Sequence, residues 1–253
     1  MVVIGIISAK GGVGKTTVTS NLASALVKFF GKRVLAVDGN ITTPNLGIHF
    51  GMLSQENTLT EVLEDKIDIT QAIYIHPSGV HIIPASLSAM VEHPDTSKLK
   101  EKIDKVKDNY DFVLIDGAAG IGREVISTIK ASDQILLVSN PDMAAIISGL
   151  KAKKIVHALN VPLRGLVLNK VEGKEHEMKL EQIEELTEAR IIGQIPFDKK
   201  VIESISKMTP VVLLDGRTRA SRSFKKLAAE ITEEFYVEKG SIWDKIKKLF
   251  RLI

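Results

Sequence analysis

Lys10-Gly11-Gly12-Val13-Gly14-Lys15-Thr16-Thr17 is the stretch on which the reading of this 253-residue chain turns. It follows an apolar, β-branched run at 2–8 and precedes a segment of helical length and composition at 16–30, so it lies at a strand-to-helix turn. Glycines in such a turn let consecutive backbone N–H groups face inward around phosphate oxygens, and the helix N-terminus adds its partial positive charge. Lys15 is placed to neutralise the β and γ phosphates, and the Thr16 hydroxyl to reach Mg²⁺. The candidate phosphate-binding residues are therefore Gly11, Gly12, Val13, Gly14, Lys15, Thr16 and Thr17.

Outward from the loop, short apolar runs at 2–8, 33–37, 80–84, 112–115, 134–139, 163–168 and 191–195 read as strands. Most are continuously apolar rather than alternating, the pattern of strands buried on both faces. Between them, 16–30, 96–107, 122–131, 142–158, 177–187, 199–206 and 219–238 have helical length and composition. The expected fold class is α/β, a P-loop NTPase with a mainly parallel sheet and helices on both faces. No Pro/Gly/Ser linker divides the chain, so one domain is expected over 1–238 and a separate amphipathic tail over 239–253.

The general phosphate-loop pattern has glycine where this chain has Ala9, and the chain adds a second lysine at Lys10. K-G-G-V-G-K-T-T resembles the deviant Walker A loop of the MinD/ParA family of P-loop ATPases. In that family the early lysine reaches across an ATP-sandwich dimer, so the resemblance gives Lys10, otherwise a solvated loop lysine, a catalytic role beside Lys15. Asp38-Gly39-Asn40, followed by Asn45-Leu46, is similar to the family's first switch. Asp38 would then hold the magnesium shell through water, and position 40 would carry the aspartate that orients the attacking water. Here it is Asn40, whose amide can hydrogen-bond to water but cannot accept its proton, so slowed hydrolysis with intact ATP binding is expected. Asn40 fits a naturally slow variant or a substitution that traps the ATP-bound state.

Residues 112–115 end at Asp116, a Walker B arrangement that puts this carboxylate beside the metal. Gly117-Ala118-Ala119-Gly120 resembles the second switch, with Ala118 where the family usually has proline, which implies a softer loop. At the end of another strand, Asn169 is the candidate for the adenine edge or a strand-end turn. Asn169-Lys170-Val171-Glu172 also brushes against a guanine-reading signature, but with a longer carboxylate in the last place, which favours ATP. Pro196, in a segment similar to the family's I-P-x-D, is the other base-side candidate. ATP and Mg²⁺ (metal shell Thr16, Asp38, Asp116) are the implied cofactors.

Charge locates the second informative segment. Lys245, Lys247, Lys248 and Arg251 against Asp244 account for the whole chain's formal +3, so the body is neutral and the excess sits in the tail. At about 100° per residue, Ile242, Trp243, Ile246, Leu249, Phe250 and Ile253 share an arc of roughly 120°. A basic face opposite Trp, Phe and Ile reads as an interfacial helix on an anionic membrane, or as a last helix packed on the domain. The expected partners are a second copy held by ATP, a membrane surface and an unidentified protein. DNA is disfavoured by the neutral body.

Zero cysteines exclude disulfides, thiol nucleophiles and the iron–sulfur relatives that share the loop. The apolar start is read as a first strand, which implies a cytoplasmic protein attached peripherally to the inner face of the cell membrane. A DNA- or cargo-partitioning ATPase is the alternative function.

Overall fold

The structure, a computed structural model, describes residues 1–88 and 94–236. Within them an eight-stranded sheet is ordered β3-β4-β2-β5-β1-β6-β7-β8. Its members are β1 (Val2–Ser8), β2 (Val34–Asp38), β3 (Tyr74–Ile75), β4 (His81–Ile83), β5 (Phe112–Ala119), β6 (Gln134–Ser139), β7 (Leu163–Val171) and β8 (Ile191–Pro196). All pairings are parallel except β3 with β4. The larger helices are α1 (Lys15–Phe30), α4 (Leu99–Asp104), α5 (Arg123–Lys130), α6 (Met143–Ala158), α7 (Leu180–Thr187), α8 (Lys199–Ser206) and α10 (Arg219–Thr232). Between them lie the short α2 (Leu46–His49), α3 (Leu59–Leu63) and α9 (Val211–Leu214).

Alternate strand residues explain the layering, because side chains along a strand point to opposite faces. Ile4, Ile6, Ala36, Leu114 and Val138 join one core with Leu22 and Leu26 of α1 and Phe224 and Leu227 of α10. Val3, Leu35, Val37 and Val113 pack the other way with Leu59 and Ile103, as do Ile135 and Leu137 with Ile129 and Ile146 of α5 and α6. Helices therefore cover both faces. Each fully buried Leu or Ile contributes about 2 kcal/mol, so the continuous apolar strands hold the sheet centre firmly.

The helix expected at 96–107 is broken instead into a 3₁₀ turn at Thr96–Lys98, α4, and a second 3₁₀ turn at Lys107–Asn109. Val106, at φ −123°, leaves the helical region and ends the run. The helix expected at 219–238 stops at Thr232, where Glu233 turns left-handed at φ 57° and Glu234 N–H returns to Ala229 O. The segment 177–187 starts its helix only at Leu180, because the Glu177 carboxylate instead takes the N–H groups of Glu172 and Gly173. Edge strand β3 and the helices α2, α3 and α9 are further elements, each too short to leave a period. No helix among the described residues is long and apolar enough to cross a membrane. The proposed tail, with Ile242, Trp243, Ile246, Leu249, Phe250 and Ile253, lies outside the described residues.

The order β2-β5-β1 positions the site. With β5 inserted between β1 and β2, the loop after β1, the end of β2 and the carboxylate within β5 meet at one carboxyl edge of the sheet, where parallel sheets gather ligands.

Candidate functional site

The phosphate loop bridges β1 and α1 through Gly12 and Gly14, both left-handed at φ 77° and 93°. At Gly14 even a methyl group would collide with the Asn169 side chain, so only glycine fits. Lys15, the first residue of α1, is 9% exposed. Burial lowers its pKa, and the carboxylates of Asp116 and Asp38 oppose that shift. The burial of an amine beside two buried acids is tolerable because the charges face one another. Lys10, by contrast, is exposed, with its carbonyl held by the Ser8 hydroxyl at 2.8 Å.

Asp38 and Asp116 are register partners across β2 and β5. Asp116 accepts from Thr16 Oγ1 at 2.6 Å and from Thr19 Oγ1 at 3.0 Å. Asp38 accepts backbone N–H groups of Leu46 at 2.9 Å, Asn45 at 3.0 Å and Asn40 at 3.3 Å. Burial raises the pKa of Asp116, with Thr16 and Lys15 acting against it, and raises that of Asp38 well above the ordinary range, helped by the neighbouring Asp116 charge. Two buried carboxylates and one lysine leave an excess of negative charge. An additional hard cation would relieve it, and the all-oxygen donors Thr16 and Asp116 suit Mg²⁺, which binds through one or two carboxylates together with phosphate oxygens. Among the described residues no group of three or more acidic or histidine side chains forms a cage that would hold a metal by itself.

Beyond Asp38 the chain makes a closed loop. Asn40 Nδ2 donates to Thr43 O at 2.5 Å and its Oδ1 accepts from Thr43 Oγ1 at 3.1 Å, so both ends of the amide are engaged. Thr42 ties this loop to α5, its N–H and Oγ1 both reaching Glu124 Oε1, at 3.2 and 2.5 Å. Opposite, the loop after Asp116 turns at Gly120, φ 94°, whose N–H bonds to Ser8 O at 3.0 Å.

A cavity of about 460 Å³ opens over the loop and gathers Gly11, Gly12, Gly14, Lys15, Thr16, Thr17, Asn40, Asn169 and Pro196. Most of the residues singled out from sequence thus meet on one wall. Val13, whose side chain is buried in the core, does not line the cavity, nor do Asp38, Asp116 and Lys10; Asp116 stands behind Thr16. Glu172 is also outside, engaged by Lys174, and the carboxylate on the cavity wall is that of Asp198, whose oxygens accept the N–H groups of Lys200 and Ala220. Sequence reading missed His49, Thr43, Lys170, Phe197, Ile202 and Ile205 on the cavity wall. The α8 residues carried a signal in their helical spacing, whereas His49 carried none. A second cavity of about 730 Å³ adjoins along Asn40, Thr43 and Ala119 and runs to Arg123 and Glu124.

Residues 1–161 match the family model described as AAA domain. An ATP-binding protein of Methanocaldococcus jannaschii is 39% identical over 99% of this chain and 98% of its own length. The cell division ATPase MinD of Pyrococcus furiosus superposes with a TM-score of 0.87 at 33% identity, covering 91% of this chain and 98% of that one. The septum site-determining protein MinD of Pyrococcus horikoshii, complexed with Mg-ADP, superposes with a TM-score of 0.86 at 32% identity, covering 90% and 95%.

Proposed function

The chain belongs to the MinD/ParA family of AAA-domain P-loop ATPases, and from that premise we propose that it is an ATP-driven spatial switch that cycles between a membrane-bound dimer and a free monomer. The observation that carries the reading is a nucleotide-sized cavity lined by Lys15, Thr16, Asn169 and Pro196, with Asp116 held directly behind Thr16. The substrate is ATP, and Mg²⁺ supplies charge neutralisation between its phosphates and Asp116. Thr16 and Asp116 would hold that ion, with Asp38 orienting its waters. Lys15 and the loop N–H groups bind and position the phosphates. Asn169 Oδ1 is the acceptor left for an adenine amine, because Nδ2 is spent on Val13 O at 2.7 Å.

Hydrolysis needs a group that orients water and takes its proton. Asn40 can do only the first, and its amide is already closed on Thr43, so turnover is slow and the ATP state long-lived. Lys10, exposed at the outer side of the loop, is free to reach the phosphates of a second copy across the dimer. A single basic amphipathic tail of this length binds a membrane weakly. Each Lys or Arg near an anionic surface contributes about 1 kcal/mol, and a short helix must first be ordered. Two tails on one dimer gain from effective concentration, which makes attachment depend on ATP. A protein partner would then read the dimer, as in the positioning of cell division.

The test is co-sedimentation with anionic liposomes of the full chain and of a truncation ending at Lys239, each with ATP or ADP. Pelleting of the full chain alone, chiefly with ATP, is expected, and Lys10→Ala should abolish both pelleting and the ATP-dependent doubling of mass in light scattering. Equal pelleting of the truncation sinks the anchor, and an undiminished dimer in Lys10→Ala sinks the sandwich. Should neither form pellet while DNA shifts the dimer, the partitioning alternative replaces this reading.

A further inference from the structure

Six non-glycine residues have positive φ among those described: Asp65, Asn160, Lys170, Glu188, Met208 and Glu233. Five of them close helices, where a left-handed residue is the ordinary terminator. Lys170, at φ 58°, is the exception, because it sits inside β7. A left-handed lysine in a strand is costly and calls for a reason. At the same point the pairing of β7 with β8 slips between Leu168 and Val171, so Asn169 and Lys170 form a bulge.

Successive strand residues normally point to opposite faces. The bulge cancels that alternation, and both side chains reach the phosphate loop. Asn169 Nδ2 donates to Val13 O and Lys170 Nζ to Gly12 O, each at 2.7 Å. In a trans peptide the carbonyl and the following N–H point in opposite directions. Drawing the carbonyls of Gly12 and Val13 toward β7 therefore turns the N–H groups of Val13 and Gly14 the other way, toward the phosphate side of the loop.

We infer that the Asn169–Lys170 bulge is a clamp that presets the loop for phosphate, with Lys170 a positioning residue that slows nucleotide release. Gly12 and Gly14 give the loop its freedom, and the clamp withdraws that freedom before a ligand arrives. Lys170 acts through the Gly12–Val13 peptide plane and sets how long ADP or ATP stays. The inference rests on the nucleotide site proposed above.

The experiment compares the full chain with Lys170→Ala and Lys170→Arg in two readouts. The first is backbone order at Val13 without nucleotide, read by nitrogen-15 relaxation, which should fall in Lys170→Ala and stay near the parent in Lys170→Arg. The second is the dissociation rate of a fluorescent ADP analogue with Mg²⁺, which should rise about five- to tenfold in Lys170→Ala, the range for losing one hydrogen bond of ordinary net strength. Unchanged order at Val13 overturns the clamp whatever the nucleotide does. Lower order without faster release overturns the role in nucleotide retention. Failure of the parent itself to bind the analogue would instead defeat the nucleotide site, with the order result still standing for the clamp.

Discussion

His49 gives the structure a calculable pH dependence. The ring ends α2, is 8% exposed, and its Nδ1 lies 3.2 Å from Ser20 Oγ. Burial lowers its pKa from 6.5 to about 4, with no acidic neighbour to restore it. A histidine that titrates lower in the folded state leaves the unfolded chain binding more protons between those two values. Its contribution to stability is therefore complete above pH 6.5, is lost as pH falls, and levels off below about 4. Relative to pH 8, the loss is about 0.8 kcal/mol at pH 6 and about 2 kcal/mol at pH 5, to order of magnitude. Asp38 and Asp116, whose pKa values are raised by burial, work in the opposite sense in acid, so the total slope is a mixture. The comparison that isolates His49 is parent against His49→Gln, which keeps a polar partner for Ser20 without a proton to gain. Urea unfolding would be followed by circular dichroism at pH 8, 6 and 5, since the single tryptophan is Trp243 in the tail. Nucleotide-free protein is required, because a bound ligand adds its own stabilisation. The gap between the two proteins should shift by about 2 kcal/mol in favour of the variant on going from pH 8 to pH 5. A gap that stays constant across this range would refute the buried, neutral His49.

Two further expectations concern the loop after β2. Asn40→Asp supplies the missing proton acceptor and should raise ATP turnover by about a hundredfold. It also removes the Nδ2 bond to Thr43 O, at a cost of about 1 kcal/mol in thermal unfolding; an unchanged rate of phosphate release would take position 40 out of the chemistry. Thr42→Val deletes the hydroxyl bond to Glu124 and leaves the backbone one, so amide exchange at 41–45 should quicken several-fold while global stability drops by less than about 1 kcal/mol. Exchange at the parent's rate would mean that Glu124 does not restrain this loop.

What sequence could reveal divides along a physical line. β1, β6 and the centre of β5 were legible because strands buried on both faces leave uninterrupted apolar runs, and 2–8 and 134–139 coincide with the observed strands. β3 was not legible, since a two-residue edge pairing has no period, and the stretch 96–107 misled because its apolar spacing continues past Val106 while the backbone does not. The site divides in the same way. Lys15, Thr16 and Asp116 belong to short strings whose chemistry is local, whereas His49, Lys170 and Glu124 matter only through partners 29, 158 and 82 positions away.

That division explains where control of the site is written. The loop, Asp38 and Asp116 share an edge because β5 lies between β1 and β2, and their spacing follows from register. The restraints on them arrive from outside that trio: Lys170 from β7 onto Gly12, and Glu124 from α5 onto Thr42. Each reaches a segment built to move, one through left-handed glycines and the other through a loop closed on its own Asn40. The proposed cycle, which binds ATP firmly and hydrolyses it slowly, needs phosphate donors fixed in advance and a water-orienting residue held back. In that proposal the β7 clamp would meet the first requirement, and the Asn40–Thr43 turn, tied to Glu124 through Thr42, the second. Releasing that tie should therefore act chiefly on hydrolysis, read as phosphate release, and releasing the clamp chiefly on nucleotide retention, read as the dissociation rate of ADP.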